Sequence, residues 1–137
     1  MNGKSWISAV AVAVIYFLLG GLFYGWLMKD WFASQAANPN MAEPNLVIIA
    51  LLCLTYGLLM AYTFPFGYKG GSLVKEGLRF GILFSLIVNL PSGLGMVAMG
   101  AWTWAGFFVA TIWEIIVGAI LGIILAKMTG NAARAAA

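Results

Sequence analysis

Glu114 is the residue whose chemistry is most unusual for its surroundings in this sequence. It lies near the middle of the apolar segment Ala101–Lys127, and no other charged residue occurs within a dozen positions on either side. A carboxylate at the centre of a bilayer costs about 2.5–3.5 kcal/mol on insertion scales. We therefore expect Glu114 to be neutral and hydrogen-bonded, or to face a partner or a wet cavity. An ionisable residue inside a membrane segment is by default a candidate for function.

The composition predicts a membrane environment for this carboxylate. The 137 residues are 64% hydrophobic and 8% charged, with a mean hydropathy of +1.00, whereas soluble domains carry about 25% charged residues. We expect one integral membrane domain over residues 1–137, with the lipid bilayer as its first partner. The seven Lys and Arg residues are scattered between apolar runs. They form no basic patch, so nucleic acid is not an expected partner.

The residue types that build cofactor sites and catalytic pairs are nearly absent. The chain has one cysteine, Cys53, and no histidine. We therefore expect no haem, zinc or iron–sulfur site and no other cofactor, and Ser/His and Cys/His nucleophile pairs are excluded. One carboxylate without a second acid offers little catalytic chemistry, so we do not expect an enzyme. Lipid or quinone binding between helices stays an alternative.

Four segments are long enough to cross a bilayer, which takes about 20 predominantly apolar residues. All are expected to be helices in an all-α, four-transmembrane-helix bundle, because helices satisfy their own backbone in lipid. The first is too long for the apolar core of a signal peptide, and we expect it to be retained. The predicted spans are Trp6–Met28, Leu46–Phe64, Leu73–Met99 and Ala101–Lys127.

The distribution of Lys and Arg predicts the orientation of these spans, since cytoplasmic loops are enriched in both. Both termini and the middle loop carry six of the seven basic residues, and the outer loop 29–45 carries only Lys29. We expect cytoplasmic N and C termini and a tight outward hairpin around Gly100. Aromatic residues predict the outer interface: Tyr24, Trp26, Trp31, Trp102 and Trp104. Trp113 lies mid-span, where we expect packing or lipid contact.

Small residues four positions apart occur in three spans, as Gly21/Gly25, Gly77/Gly81 and Gly118/Gly122, and such pairs let helices approach closely. Glu114 lies on the stripe of the last pair, with Ala110 and Thr111, and so should face a neighbouring helix. In a hairpin that turns near residue 100, the numbers of residues at equal depth add to about 200. This rule and the depth of the other spans predict a proton- or ligand-binding cluster at the bilayer midplane: Tyr16, Tyr56, Ser85, Asn89, Thr111 and Glu114.

Two further residues bear on this cluster. Pro91 lacks an N–H and should kink its helix, weakening the segment from Asn89 to Gly93 beside Glu114; alternatively it only shapes the bundle. Arg79 is an alternative partner for Glu114, although Glu76, at i−3, is nearer to it. We favour a neutral Glu114 that donates to Asn89, Tyr16 or a carbonyl freed by Pro91.

The run from Gly20 to Gly25, GGLFYG, followed by Lys29-Asp30-Trp31, resembles the end of the first helix in the domain-of-unknown-function family 1761. The stretch from Trp113 to Gly122, WEIIVGAILG, is similar to that family's final helix. The resemblance implies a small four-helix membrane protein and no assigned activity. It fits a multi-pass protein of the bacterial inner (plasma) membrane. Small multidrug resistance transporters share only the architecture of four helices and one membrane glutamate.

Two functions stay open at this point. Glu114 either binds a proton in competition with a small solute or cation, as in a transport protein that acts as a homodimer, or it is a buried hydrogen-bonding anchor of a structural subunit. In the second case the chain belongs to a larger membrane complex. The sequence does not identify the solute.

Overall fold

The computed structural model describes residues 3–35 and 44–136, with side chains for all of them except Lys4 and residues 131–136. This part of the chain is all helical, and four of its helical stretches are long and apolar enough to cross a membrane. Both features confirm the predicted all-α class with four long apolar helices. The elements are α1 (Gly3–Leu22), a π-helical segment (Phe23–Leu27), α2 (Lys29–Gln35), α3 (Leu46–Gly67), α4 (Leu73–Ala98) and α5 (Trp104–Ala136).

The helix boundaries differ from the approximate predicted spans by up to a few residues. The expected outer loop 29–45 contains the helix α2, and α3 continues three residues beyond Phe64. The last long helix begins at Trp104 rather than at Ala101. Residues 36–43 of the predicted loop lie outside the described residues, as do the side chains of Lys4 and Arg134 that entered the charge count.

The turn between α4 and α5 explains the late start of α5. Gly100 has a positive φ of 70°, a conformation that glycine adopts without strain. The Ala101 N–H donates to the Met96 carbonyl at 2.9 Å and the Gly100 N–H to the Val97 carbonyl at 3.0 Å, which is a Schellman C-cap. Thr103 then accepts the first backbone bond of α5, from Phe107 at 3.0 Å. The predicted tight hairpin around Gly100 is confirmed.

Helices α4 and α5 form the closest pair, and glycine makes this approach feasible. A Cβ added to Gly77 would lie 2.5 Å from the Gly122 carbonyl oxygen, and one added to Gly118 would lie 2.5 Å from the Gly81 carbonyl oxygen. No side chain larger than hydrogen fits between backbones at that distance. Two of the three predicted small-residue pairs therefore pack as expected.

The third pair, Gly21/Gly25, does not lie at a helix contact within the described chain. A Cβ at either glycine would meet nothing within 4 Å. The contact of α1 with α3 is made instead at Gly57, which lies against the backbone of Ala9 and Ala13. Gly57 has no second glycine four positions away, so the pattern of glycine pairs did not mark it.

The packing order of the long helices is α3, α1, α5 and α4, with α1 and α5 in the middle. Helices α3 and α4 meet mainly through aromatic side chains, with ring centroids 5.2 Å apart for Phe64 and Phe80 and 5.1 Å apart for Tyr56 and Phe84. The bundle is thus open between α3 and α4, unlike a closed four-helix bundle. Its core lies between α1, α3 and α5 and includes Val12, Tyr16, Tyr56, Met60, Phe64, Val117 and Leu121.

Candidate functional site

Three hydrogen bonds from three different elements converge on the Glu114 carboxyl group. Tyr16 of α1 donates to Oε2 at 3.2 Å, and Tyr24 of the π-helical segment donates to Oε1 at 3.4 Å. Asn89 of α4 donates through Nδ2 to Oε2 at 3.4 Å. The Glu114 side chain is only 6% exposed. These four residues are called the Glu114 cluster below.

Tyr24 belongs to this cluster although it was predicted to lie at the outer interface. Thr103 donates to the Gln35 side-chain oxygen at 2.7 Å, so the chain that follows α1 meets the start of α5 and the two helices run antiparallel. Long side chains on a helix point back toward its N-terminus. Tyr24 and Glu114 therefore lean toward each other along the helix axes. This directional rule is the signal that would have placed Tyr24 near Glu114.

Tyr56 lies beside the cluster and is not hydrogen-bonded to Glu114. Its ring stacks on the ring of Tyr16, with centroids 4.3 Å apart, and it meets Phe84 edge-on. The residue is 4% exposed, and its hydroxyl group finds no hydrogen-bond partner in the described chain. A buried hydroxyl without a partner is unusual in a folded protein.

Ser85 and Thr111, which were predicted to belong to the cluster, do not hydrogen-bond to Glu114. The Ser85 hydroxyl donates to the Ile82 carbonyl at 2.9 Å, and the Thr111 hydroxyl donates to the Phe107 carbonyl at 2.8 Å. Both bonds return to the residue's own helix, which is how Ser and Thr commonly satisfy themselves inside helices. Ser85 contributes indirectly, because its backbone carbonyl accepts the second bond of Asn89 Nδ2 at 2.9 Å.

The segment around Pro91 is helical, since α4 runs from Leu73 to Ala98 with this proline inside it. The segment that we expected to be weakened is thus not broken. Ser92 donates to the carbonyls of Val88 at 2.9 Å and Asn89 at 3.2 Å. The predicted kink itself stays a prediction.

Arg79 pairs with Glu76 and not with Glu114, the alternative partner. Its guanidinium group lies 3.1 Å from the Glu76 carboxylate and donates to the Gly67 carbonyl at 3.0 Å. The alternative in which Arg79 pairs with Glu114 was wrong. No basic side chain among the described residues forms an ion pair with Glu114.

Trp113, next to Glu114 in sequence, is half-buried and packs against an aromatic side chain, the first of its two expected roles. Its ring stacks on Phe23, with centroids 4.2 Å apart and planes 5° from parallel. Phe23 in turn contacts Tyr24 edge-on at 5.0 Å. The indole of Trp113 is therefore one aromatic contact away from the Glu114 cluster, and its indole nitrogen has no hydrogen-bond partner in the described chain.

A cleft of about 320 Å³ lies between α3 and α4, where the bundle is open. Tyr16 and Asn89 line this cleft and also hydrogen-bond to Glu114, which lies behind them. The cleft is therefore connected to the carboxyl group through two side chains. Its lining residues are Tyr16, Leu52, Thr55, Tyr56, Leu59, Phe84, Val88, Asn89 and Ser92.

The described residues contain no group of three or more Cys, Asp or Glu side chains that could hold a metal ion. Comparisons with protein-family models, with curated protein sequences and with solved structures find no match to this chain. The resemblance to the domain-of-unknown-function family 1761 therefore stays a prediction.

Proposed function

We propose that this chain is a multi-pass integral membrane protein that binds a small solute or a cation beside Glu114, in a manner sensitive to protonation of that residue. The observation that carries the proposal is a buried carboxyl group held by three uncharged side chains, with no basic partner in the described chain. A carboxyl group in apolar surroundings responds strongly to a proton or a cation, because either one removes an uncompensated charge.

The cleft supplies the space that such a ligand needs. It lies on the far side of Tyr16 and Asn89 from the Glu114 carboxyl group. A change in the charge of Glu114 alters the hydrogen bonds of both residues and so alters the cleft lining. We further propose that the protein lies in the bacterial inner membrane and that both of its termini are in the cytoplasm. Four helices enclose little volume, so transport would require a homodimer to form a path across the bilayer.

We propose binding or transport rather than catalysis. The Glu114 cluster contains one carboxyl group, two phenols and one amide. It thus lacks a second acid, and general acid–base chemistry on a bound substrate usually needs a paired group. The amide and phenols suit recognition through hydrogen bonds.

A fluorescence titration tests whether Glu114 binds a proton. The protein is reconstituted in lipid nanodiscs and titrated over about pH 4 to 9, where protein carboxyl groups titrate. The Trp113 signal is isolated as the difference between the parent and Trp113→Phe. We expect a transition in the parent that is lost in Glu114→Gln, because Trp113 contacts Phe23 and Phe23 contacts Tyr24. A flat signal in the parent contradicts the proposal.

A liposome assay tests the movement of solute. Parent and Glu114→Gln proteins are reconstituted at equal density, and the uptake of candidate cations and small amines is followed under an imposed pH gradient. We expect uptake that depends on the gradient in the parent alone. Equal movement of solutes and protons by both proteins would rule out a role for Glu114.

The alternative function is that of a structural or accessory subunit. It is favoured by the fact that both Glu114 oxygens accept hydrogen bonds within the chain and so tie α5 to α1, the π-helical segment and α4. An anchor of this kind needs no ligand. A structural role would be indicated by co-purification of the parent protein with a larger membrane complex and by loss of that complex in Glu114→Ala.

A further inference from the structure

Basic side chains that are far apart in the sequence are gathered at one end of the described bundle. The connection from α3 to α4 forms this end, and the last part of α5 lies beside it, because Ala126 packs against Gly77. Among the described side chains, this end has four basic residues and one acidic residue, Glu76, and so a net charge of +3. The opposite end has Lys29 and Asp30, whose charges cancel. The four basic residues, called the basic end below, are Lys69, Lys75, Arg79 and Lys127.

The one carboxylate at the basic end is already engaged within the protein. Glu76 forms an ion pair with Arg79 at 3.1 Å and accepts from the backbone N–H of Lys69 at 3.2 Å. The described side chains form no other salt bridge, so the ammonium groups of Lys69, Lys75 and Lys127 have no ionic partner among them. All three residues are exposed. Their summed charge creates a positive potential that attracts an anion.

Three of the four cations lie around the seam where α3 ends and α4 begins. Lys75 and Arg79 are four residues apart on α4, so their Cβ atoms are about 5–6 Å apart on one face. The backbone of Lys69 is held beside them through its bond to Glu76, the neighbour of Lys75. Arg79 also donates to the carbonyl of Gly67, the last residue of α3, at 3.0 Å. The seam is therefore lined by cations from both sides.

Exposed apolar side chains next to these cations restrict the kind of anion that fits. Phe66, beside Gly67 in α3, is 78% exposed, and Val74, beside Lys75 in α4, is 46% exposed. Both belong to helices that are long and apolar enough to cross a membrane, so the seam lies where the hydrocarbon core meets the head groups. A phospholipid offers a phosphate to the cations and acyl chains to the apolar neighbours. Basic pockets between membrane helices bind anionic lipid head groups in this way.

We propose that the seam between α3 and α4 at the basic end binds one anionic phospholipid. Lys69 and Lys75 contact its phosphate group, while Arg79 stays paired with Glu76. The acyl chains lie against the exposed apolar side chains beside the seam. A lipid bound there joins two helices that otherwise meet mainly through aromatic side chains. The inference goes beyond the proposed function and is independent of it, because no residue of the Glu114 cluster takes part.

Native mass spectrometry tests the proposal, because it counts bound lipids and gives a dissociation constant for each. The full chain in detergent is titrated with phosphatidylglycerol and with phosphatidylcholine that has the same acyl chains. Glycerol phosphate, which has the anionic group without acyl chains, is added as a competitor. The variants are Lys69→Gln and Lys75→Gln. Lys29→Gln is the matched control, because it removes the same charge from the opposite end.

We expect one phosphatidylglycerol to bind the parent more tightly than any phosphatidylcholine. Lys69→Gln and Lys75→Gln should each weaken the binding of phosphatidylglycerol about fivefold, the effect of one lysine near an anionic membrane surface, and leave phosphatidylcholine unchanged. Lys29→Gln should bind both lipids as the parent does. Glycerol phosphate at the same concentration should not displace the lipid. Thermal unfolding of each variant shows whether it is folded.

Equal affinity of the parent for the two lipids overturns the proposal, because the basic end then does not select an anion. Unchanged binding of phosphatidylglycerol in both lysine variants overturns it too, as does an equal loss in Lys29→Gln, because the site is then not at the seam. Displacement by glycerol phosphate at the same concentration means that the ligand is a soluble phosphate and not a lipid. None of these results depends on the proton titration of Glu114.

Discussion

The hydrogen bond between Tyr16 and Glu114 is expected to contribute a measurable coupling energy to the stability of the protein. Tyr16→Phe removes the hydroxyl group alone and keeps the ring, which stacks on Tyr56 with centroids 4.3 Å apart. Glu114→Met removes the acceptor and keeps a side chain of similar length. A double-mutant cycle of these two substitutions isolates the bond from the packing of either residue.

The size of the coupling follows from the geometry. The donor–acceptor distance is 3.2 Å, longer than the usual 2.5–3.0 Å for O–H···O bonds. We therefore expect a coupling near the average of about 0.6 kcal/mol for membrane proteins rather than near the maximum of about 1.7 kcal/mol. An ionised Glu114 would roughly double it, because hydrogen bonds to charged groups are about twice as strong. The coupling thus also reports the charge state of Glu114.

Reversible unfolding in mixed micelles, followed by circular dichroism during a titration with sodium dodecyl sulfate, measures this coupling. The control cycle pairs Glu114→Met with Tyr62→Phe, whose ring is 55% exposed and has no contact with the Glu114 cluster. We expect additivity in that control within about 0.3–0.5 kcal/mol. If the Tyr16 cycle is also additive, with a coupling below about 0.3 kcal/mol, the hydrogen bond does not stabilise the protein.

Three further expectations concern stability and use the same unfolding assay. Gly81→Ala should destabilise the protein because the new Cβ would meet a carbonyl of α5; overpacking costs about 1–3 kcal/mol, and the gain in helix propensity offsets about 1 kcal/mol of it. The control Gly21→Ala, whose Cβ would meet nothing within 4 Å, should be neutral or stabilising. A Gly21→Ala variant less stable than Gly81→Ala would contradict the packing of α4 against α5. Asn45→Ala should cost about 1 kcal/mol, since this side chain caps α3 by accepting from two backbone N–H groups at 3.0 and 3.2 Å; no change would show that the cap is not used. Arg79→Gln should lower the free energy of unfolding by less than about 1 kcal/mol, because the Arg79 side chain that pairs with Glu76 is 42% exposed. A larger decrease would mean that the pair stabilises the connection from α3 to α4.

The hairpin of α4 and α5 was the part of the site best predicted from the sequence. Two regular helices that leave a tight turn rise equally per residue, so the turn at Gly100 fixes which residues lie side by side. The Gly81–Gly118 contact and the Asn89–Glu114 hydrogen bond follow this rule to within a few residues. Depth is predictable there because both helices are regular and the connection is short.

Contacts between helices that are distant in sequence were not predictable in the same way. Membrane helices are apolar on all sides, so their hydrophobic pattern does not show which face meets which neighbour. The gap between α3 and α4, and the place of Gly57 against α1, are results of this kind. Ser85 packs against Gly118, one turn from Glu114, and Thr111 is three residues before Glu114, but the hydroxyl groups of Ser85 and Thr111 are satisfied by their own helix. These hydroxyl groups bond to backbone carbonyls of their own helix and not to Glu114, because reaching the carbonyls requires no rearrangement.

The partners of the two Glu114 oxygens differ in a way that bears on proton binding. Oε2 accepts from Tyr16 and from the Asn89 amide nitrogen, which can only donate. Among the described residues, Oε1 accepts from Tyr24 only, and a phenol oxygen can also accept. A proton on Oε1 is therefore accommodated by reversing the Tyr24 bond, while a proton on Oε2 would have to point at Tyr16 with the Asn89 amide still donating to the same oxygen. Tyr24 is thus the residue through which protonation of Glu114 would be transmitted to the π-helical segment, and Tyr16 and Asn89 hold the other oxygen in both states.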